Sequence, residues 1–185
     1  MNKAFTKESD YDETAEAVVE PVDPLPPNVP NYVTPAGAER VRAELRRLLR
    51  EEIPRLEARA GAGQESDGAR DNREKTSARR QLQEAKGRAR LLDQHIGRFQ
   101  VVDPSTGDGD RVRFGARVTV LDDHGDERTY LICGVDEAQP ELGSVSWISP
   151  VAKALLGCEV GDEVTLRLPR GEQRLEIVDI EYDTA

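Results

Sequence analysis

The sequence predicts an α+β protein in which an N-terminal antiparallel α-helical coiled-coil hairpin is followed by a small antiparallel-sheet domain. Three observations lead there. Apolar residues recur at helical spacing in two runs separated by a short polar break, and from about Gly107 the period changes to strand-like alternation interrupted by turns. Charge divides along the same lines. Residues 1 to 34 carry 2 basic and 7 acidic side chains (net -5), residues 35 to 102 carry 16 and 11 (net +5), and residues 103 to 185 carry 8 and 18 (net -10).

The first 31 residues are acidic and then rich in proline, with Pro21, Pro24, Pro26, Pro27 and Pro30. Such a stretch offers little apolar surface and too few backbone donors for helix or sheet, so a disordered tail ending in an extended linker is expected. Thr34-Pro35 marks a helix start, the threonine as N-cap and the proline at the first helical position. Val41, Leu45, Leu48, Leu49, Ile53, Leu56 and Ala60 then step by three and four, keeping one face apolar. Pro54 falls inside this run and is expected to kink the helix without ending it, because the stripe continues beyond it.

A second stripe, Leu82, Ala85, Ala89, Leu92, Ile96 and Phe99, has the alternating spacing of a coiled-coil seam. Two amphipathic helices around one turn fold back on each other. At about 1.5 Å per residue, arms of roughly 30 residues make a rod on the order of 45 Å long. The hairpin is assigned to residues 32 to 102, with its tip at about 61 to 72.

The second domain is assigned to residues 108 to 185. Val112, Phe114, Val118 and Val120 read as strand, Asp122 to Asp126 as a hairpin turn, and Thr129 to Cys133 as the returning strand. Ser144 to Ile148 is a further strand. Ser149-Pro150 caps a short helix that Gly157 stops, and Val164, Leu166 and Leu168 alternate before a Pro169-Arg170-Gly171 turn and a closing strand, Arg174 to Tyr182.

No apolar run reaches the roughly 20 residues a membrane crossing requires, and the N-terminus lacks a signal-peptide core, so a cytoplasmic protein is expected. Cys133 and Cys158 are isolated and read as buried thiols. His95 and His124 are far apart, so no zinc-type spacing is present.

These residues resemble the GreA/GreB transcript cleavage factors, in the GreB style. Asn31-Tyr32-Val33-Thr34-Pro35 with Gly37 resembles the start of that family's first helix, and Arg50-Glu51-Glu52-Ile53-Pro54 its proline-kinked stretch. Ser149-Pro150-Val151-Ala152-Lys153-Ala154-Leu155-Leu156-Gly157, Val160 to Val164 and Ile177 to Tyr182 resemble its second domain. The likeness runs from about Tyr32 to Tyr182. It implies an FKBP-like second domain that docks on bacterial RNA polymerase through Ser149, Pro150 and Leu155, with the hairpin entering the secondary channel; capping and core packing are the plainer reading of that helix with Leu155 and Leu156. It also implies an accessory role, in which tip acids share a Mg²⁺ ion with the polymerase and the polymerase itself cuts the backtracked RNA 3′ end.

Aligned on the second helix, the family's tip Glu falls on Asp71 and its Asn on Asn72, while its Asp falls on Gly68 with Asp67 one place earlier. Arg70 stands in place of the family's serine and Lys75 in place of its aromatic. Asp67, Asp71 and Asn72 are therefore the candidate catalytic residues, Asp67 and Asp71 the candidate Mg²⁺ ligands, and Glu65 and Glu74 their reserves. A plainer role for the two aspartates is capping the second helix, whose free N–H groups and dipole favour carboxylates.

Arg55, Arg59, Arg73, Lys75, Arg79 and Arg80 flank the tip and are candidate contacts to RNA phosphates. Pairing with Glu51, Glu52, Glu57 and Glu84 is the alternative use of those cations.

Three functions compete: a monomeric cleavage-stimulating factor, a Gre-like regulator that inhibits by occupying the channel, and a hairpin chaperone. A hairpin chaperone would present an apolar tip, and this one is built of Gly, Ser and acid. Prolyl isomerase activity, which needs an aromatic-walled pocket, fits poorly with 3 Phe, 1 Trp and 4 Tyr in the whole chain.

Overall fold

The computed structural model describes residues 23 to 61, 69 to 106, 110 to 168 and 171 to 182. A short strand β1 (Asn31–Val33) leads into helix α1 (Pro35–Arg47), a five-residue π-helical turn (Leu48–Glu52) and helix α2 (Ile53–Gly61). Helix α3 (Ala69–Ile96) returns along them to strand β2 (Phe99–Val101), which pairs in parallel with β1 and closes the base of the hairpin.

Thr34 caps α1 from extended backbone, accepting from Gly37 N–H, with Pro35 in the first turn. The π-helical turn lies just ahead of Pro54. A proline has no N–H to give to the carbonyl four residues back, here that of Arg50, and its ring crowds that carbonyl. Widening the turn over Leu48–Glu52 absorbs the conflict, so the helix runs on into α2.

The seam between the arms is formed by Val41, Leu48, Ile53 and Leu56 against Ala85, Ala89 and Leu92, with Leu45, Leu82, Ile96 and Phe99 packed at its margins. Two expectations shift. Leu49, counted in the first stripe, is 54% exposed, because the wider π turn rotates it off the seam. Phe99 belongs to β2 and not to the helix, and the Arg42 guanidinium sits 5.9 Å above its ring. Ion pairs also join the arms, Arg88 to Glu44 at 2.9 Å and Lys86 to Glu57 at 2.7 Å.

The second domain is a five-stranded sheet ordered β5-β4-β3-β7-β6, from strands β3 (Ala116–Asp122), β4 (Glu127–Cys133), β5 (Ser144–Ser146), β6 (Glu163–Leu168) and β7 (Gly171–Tyr182). All neighbours are antiparallel except β4 and β5, which run parallel at the edge. Helix α4 (Pro150–Leu155) covers one face, sealing a core of Val118, Val120, Ile132, Ala152, Leu155 and Ile177. Val112, expected in a strand, is buried from the loop before β3, where its N–H and C=O bond to Cys158 and Gly157.

The tail departs from expectation in its last part. Residues 23 to 30 are ordered against the base of the hairpin, with Leu25 only 4% exposed. The cause is a polar anchor that composition does not register, the pairing of Asp23 with His95 and Arg98. Residues 1 to 22 lie outside the described part of the chain.

Removing the Leu92 side chain, which is fully buried in the seam, is expected to cost about 2–5 kcal/mol as Leu92→Ala, read from urea unfolding followed by helical circular dichroism. Leu49→Ala at the rotated-out position is expected to change stability by about 0.5 kcal/mol or less. Equal losses at the two sites would contradict this assignment of the seam.

Candidate functional site

Asp67 lies outside the described residues. Asp71 and Asn72 fall in the first turn of α3, but their side chains also lie outside the described part. Glu65 and Gly68 are likewise outside it, whereas Glu74 is an exposed residue of α3. Among the described residues no group of three or more His, Cys, Asp or Glu side chains is placed to hold a metal ion.

Of the six cations flanking the tip, Arg55 and Arg59 are exposed on α2, and Arg73, Arg79 and Arg80 are exposed on α3. Lys75 is half-buried. Arg80 pairs with Glu84 one helical turn away at 3.0 Å. Two of the acids considered as neutralising partners are engaged with other cations, Glu57 with Lys86 and Glu52 with Arg47.

In the second domain, Ser149 is the N-cap of α4, its hydroxyl accepting from Ala152 N–H at 3.2 Å, and Pro150 follows it exposed on the surface. Leu155 is fully buried in the domain core. A docking contact through the Leu155 side chain is therefore corrected: its position on the inner face of α4 commits it to the sheet. Cys133 is buried, which pushes its thiol up to about 11 with help from the Glu137 carboxylate, and Cys158 is half-buried with its thiol also raised by burial.

The best-formed polar cluster lies elsewhere, where the base of the hairpin meets the loop after β4. Asp136 and Glu137 point from that loop into the hairpin. Glu137, 6% exposed, accepts from the Thr34 N–H at 3.0 Å, the Thr34 hydroxyl and the Gly134 N–H at 3.1 Å, with the Arg40 guanidinium 3.6 Å away. Thr34 thus caps α1 with its hydroxyl oxygen and donates that hydroxyl's hydrogen to a carboxylate of the other domain.

The approach is close enough to require glycine. A Cβ on Gly37 would lie 2.0 Å from the Glu137 Oε1, and one on Gly134 would lie 2.6 Å from the Tyr32 carbonyl oxygen.

Asp136 takes the Asn31 amide at 3.0 Å and the His95 Nδ1 at 2.8 Å. On the opposite side of the ring, His95 Nε2 is 3.0 Å from Asp23, which also accepts from Arg98 at 2.8 Å. With a carboxylate on each ring nitrogen, both nitrogens must donate, so His95 is held as the imidazolium. Burial pushes its pKa down, but the hydrogen bonds to Asp136 and Asp23 outweigh burial and leave it raised. For both aspartates burial acts upward, but the His95 hydrogen bond, a second donor (Asn31 for Asp136, the Leu25 N–H for Asp23) and the neighbouring positive charges together reverse it, so their carboxyls end below the ordinary range.

Aromatic packing completes the joint, Tyr32 meeting Trp147 edge-on with ring centroids 5.1 Å apart and Phe114 at 6.2 Å.

Comparison with known proteins places both halves in one family. The family description "Transcription elongation factor, N-terminal" matches residues 31–101, and "Transcription elongation factor, GreA/GreB, C-term" matches residues 106–182. This chain belongs to the GreA/GreB family of transcription elongation factors. It is 40% identical to the transcription elongation factor GreA of Alkalilimnicola ehrlichii over 152 residues, covering 81% of this chain and 96% of that one. It is 37% identical to the GreB of Neisseria meningitidis serogroup B over 157 residues, covering 82% and 94%. Among solved structures, the GreA factor homolog Gfh1 of Thermus thermophilus aligns over 83% of this chain and 99% of its own, at 26% identity and a TM-score of 0.39.

Among the residues that family resemblance assigns, the described structure gathers the cations on the two hairpin arms and leaves Ser149 and Pro150 together on the second domain, at the start of α4. Sequence reasoning passed over Asp23, Asp136 and Glu137, and it gave Asn31 and His95 no part in a polar joint. One signal was available: a histidine at a position flanked by the seam residues Leu92 and Ile96 has to be either buried with partners or a break in the seam.

The His95 cluster makes stability depend on pH in both directions. Its contribution from His95 is complete below the ordinary imidazole value of 6.5 and is lost as pH rises through the raised folded value. The contribution from Asp23 and Asp136 is complete above the ordinary carboxylate value of 3.8 and is lost as pH falls through their depressed values. Urea midpoints are expected to peak between those two limits and fall on either side, and His95→Gln is expected to flatten the alkaline limb. Asp136→Ala, which strands a buried imidazolium on one side, is expected to cost about 3–5 kcal/mol. Gly37→Ala is expected to destabilise as well, by about 1–3 kcal/mol, because moving Glu137 aside breaks its bonds to Thr34 and Gly134.

Proposed function

We propose that this protein is a bacterial RNA polymerase accessory factor that inserts its hairpin into the secondary channel and stimulates cleavage of the backtracked RNA 3′ end. The observation carrying this reading is the hairpin itself. The α3 arm alone has 28 residues, about 42 Å at ~1.5 Å per residue, and it is joined to the other arm by a dry seam and two ion pairs. A rod of that length carries its turn far from the second domain and is too thin to enclose an active site of its own. The protein therefore contributes ligands and charge, and the polymerase remains the nuclease.

The donors available at the turn suit Mg²⁺, since Asp67 and Asp71 offer hard carboxylate oxygens and this ion is commonly held by one or two carboxylates plus phosphate and water. Two acids make half a site, with the remaining ligands to come from the polymerase and the transcript. When bound, the ion would supply charge stabilisation and an activated water. The exposed cations Arg55, Arg59, Arg73, Arg79 and Arg80, with Lys75, would hold the extruded RNA by its phosphates, in a protein that is otherwise acidic. Ser149 and Pro150 at the exposed start of α4 are the proposed polymerase contacts.

A second reading rests on the turn sequence. Gly68 stands where the family has an acid, and Arg70 adds a cation beside Asp71. Both changes weaken metal retention and favour a factor that occupies the channel and inhibits.

A backtracked elongation complex distinguishes the two. Cleavage stimulation predicts Mg²⁺-dependent release of short RNA by the wild type and its loss in Asp67→Ala/Asp71→Ala. Unchanged cleavage with slowed elongation supports the inhibitor, and absence of polymerase binding removes both readings. In the same complex, Arg55→Ala/Arg59→Ala is expected to flatten the salt dependence of binding, by roughly 0.7 in the log–log slope for each RNA phosphate that is no longer neutralised.

A further inference from the structure

We propose that residues 23 to 30, immediately ahead of the region matched by the family at 31, form a strap that fixes the angle between the hairpin and the second domain. The family match begins at Asn31, so nothing in that match accounts for an ordered segment before it.

The strap is built to be stiff. Asp23 Oδ1 accepts from the Leu25 N–H at 2.8 Å, an Asx turn that sets the direction of the chain. Pro26-Pro27-Asn28-Val29 then forms a reverse turn closed by Val29 N–H to the Pro26 carbonyl at 3.3 Å, with Asn28 at a φ of 65°. Proline at the second position and asparagine at positive φ in the third are the residues a type II turn selects. From there the chain enters β1, where Asn31 N–H donates to the Arg98 carbonyl at 2.9 Å. The prolines at 24, 26, 27 and 30, together with that turn, leave few conformations to lose on docking.

It is also built to grip. Leu25 is buried, Arg98 donates to Asp23 and at 3.3 Å to the Pro26 carbonyl, and Asp23 faces His95 Nε2. His95 is where the strap reaches the other domain, since its Nδ1 is held by Asp136. The order Asp23, His95, Asp136 therefore joins strap, end of α3 and second domain through one ring. Without Asp23 the ring loses the acceptor that keeps its second proton, and its bond to Asp136 reverts from a charge-assisted pair to a neutral donor on a carboxylate. The strap acts on domain orientation through the charge state of His95, whose ring it touches on one side while Asp136 holds the other.

The consequence for a polymerase-binding factor, which rests on the function proposed above, is that hairpin and second domain would reach their contacts at one preset angle. The test needs no polymerase, so it stands or fails apart from that function. Spin labels at Gln83→Cys on α3 and Lys153→Cys on α4, in a Cys158→Ser background, report the distance between the domains. The full chain and a chain lacking residues 1 to 22 are expected to give the same narrow distance distribution. A chain lacking residues 1 to 30, and the full-length Asp23→Ala/Leu25→Ala variant, are expected to give distributions at least about twofold wider with helical circular dichroism retained, as for domains left to a small interface.

Asp23→Glu is expected to restore the narrow distribution in part. Narrow distributions in both strap variants overturn the proposal. So does broadening on removal of residues 1 to 22 alone, which would assign the restraint to that earlier segment. If the truncated chain fails to fold, the point variant decides by the same readout.

Discussion

Two adjacent carboxylates, Asp136 and Glu137, hold the hairpin to the second domain, and the rest of the molecule's geometry depends on them. Both extend from one short loop after β4, and each is taken up by a different group on the hairpin base, the cap of α1 for Glu137 and the end of α3 for Asp136. A carboxylate buried at such a joint is tolerated only when its lone pairs are filled, and these are filled from three and two directions. Because the donors include the backbone of Thr34 and the ring of His95, the two arms are gripped separately. A rod anchored at both of its chains resists twisting as well as bending.

This arrangement explains why a glycine and a histidine stand at the base of the hairpin where a seam of apolar residues would otherwise continue. Gly37 gives up its side chain so that Glu137 can reach the α1 terminus, and His95 sits in line with the seam yet carries charge. The apolar seam gives the hairpin its cohesion, and the polar joint gives it direction. A joint made of leucines would bury comparable area while leaving the angle to slide, since hydrophobic contact is non-directional.

Charge is partitioned to the same end. The second domain and the N-terminal segment are acidic while the hairpin is basic, so the hairpin alone is suited to approach a polyanion. Along the arms some of that positive charge is consumed internally, by Glu44, Glu57 and Glu84. Nearer the turn, Arg55, Arg59, Arg73 and Arg79 are exposed, and they are among the contacts proposed for RNA phosphates. The π turn before Pro54 serves the same shape: it spares the hairpin a break midway while turning Leu49 to solvent.

The sequence by itself determined the two helical arms, the change to a sheet domain, the capping of α1 by Thr34 and of α4 by Ser149, and the family. Each rests on short-range signals, a period, a cap or a string of neighbouring residues, that survive without knowledge of the fold. The tertiary structure chose core over docking for Leu155, and it alone decided that Leu49 faces out, that β5 joins its neighbour in parallel, and that Asp23, His95 and Asp136 meet. These last depend on residues separated by 41 and 72 positions being brought within hydrogen-bond reach. A charged residue's partner across a domain boundary has no periodicity in the chain, so an acidic, proline-rich segment reads as solvated tail until the imidazolium that anchors it is in place.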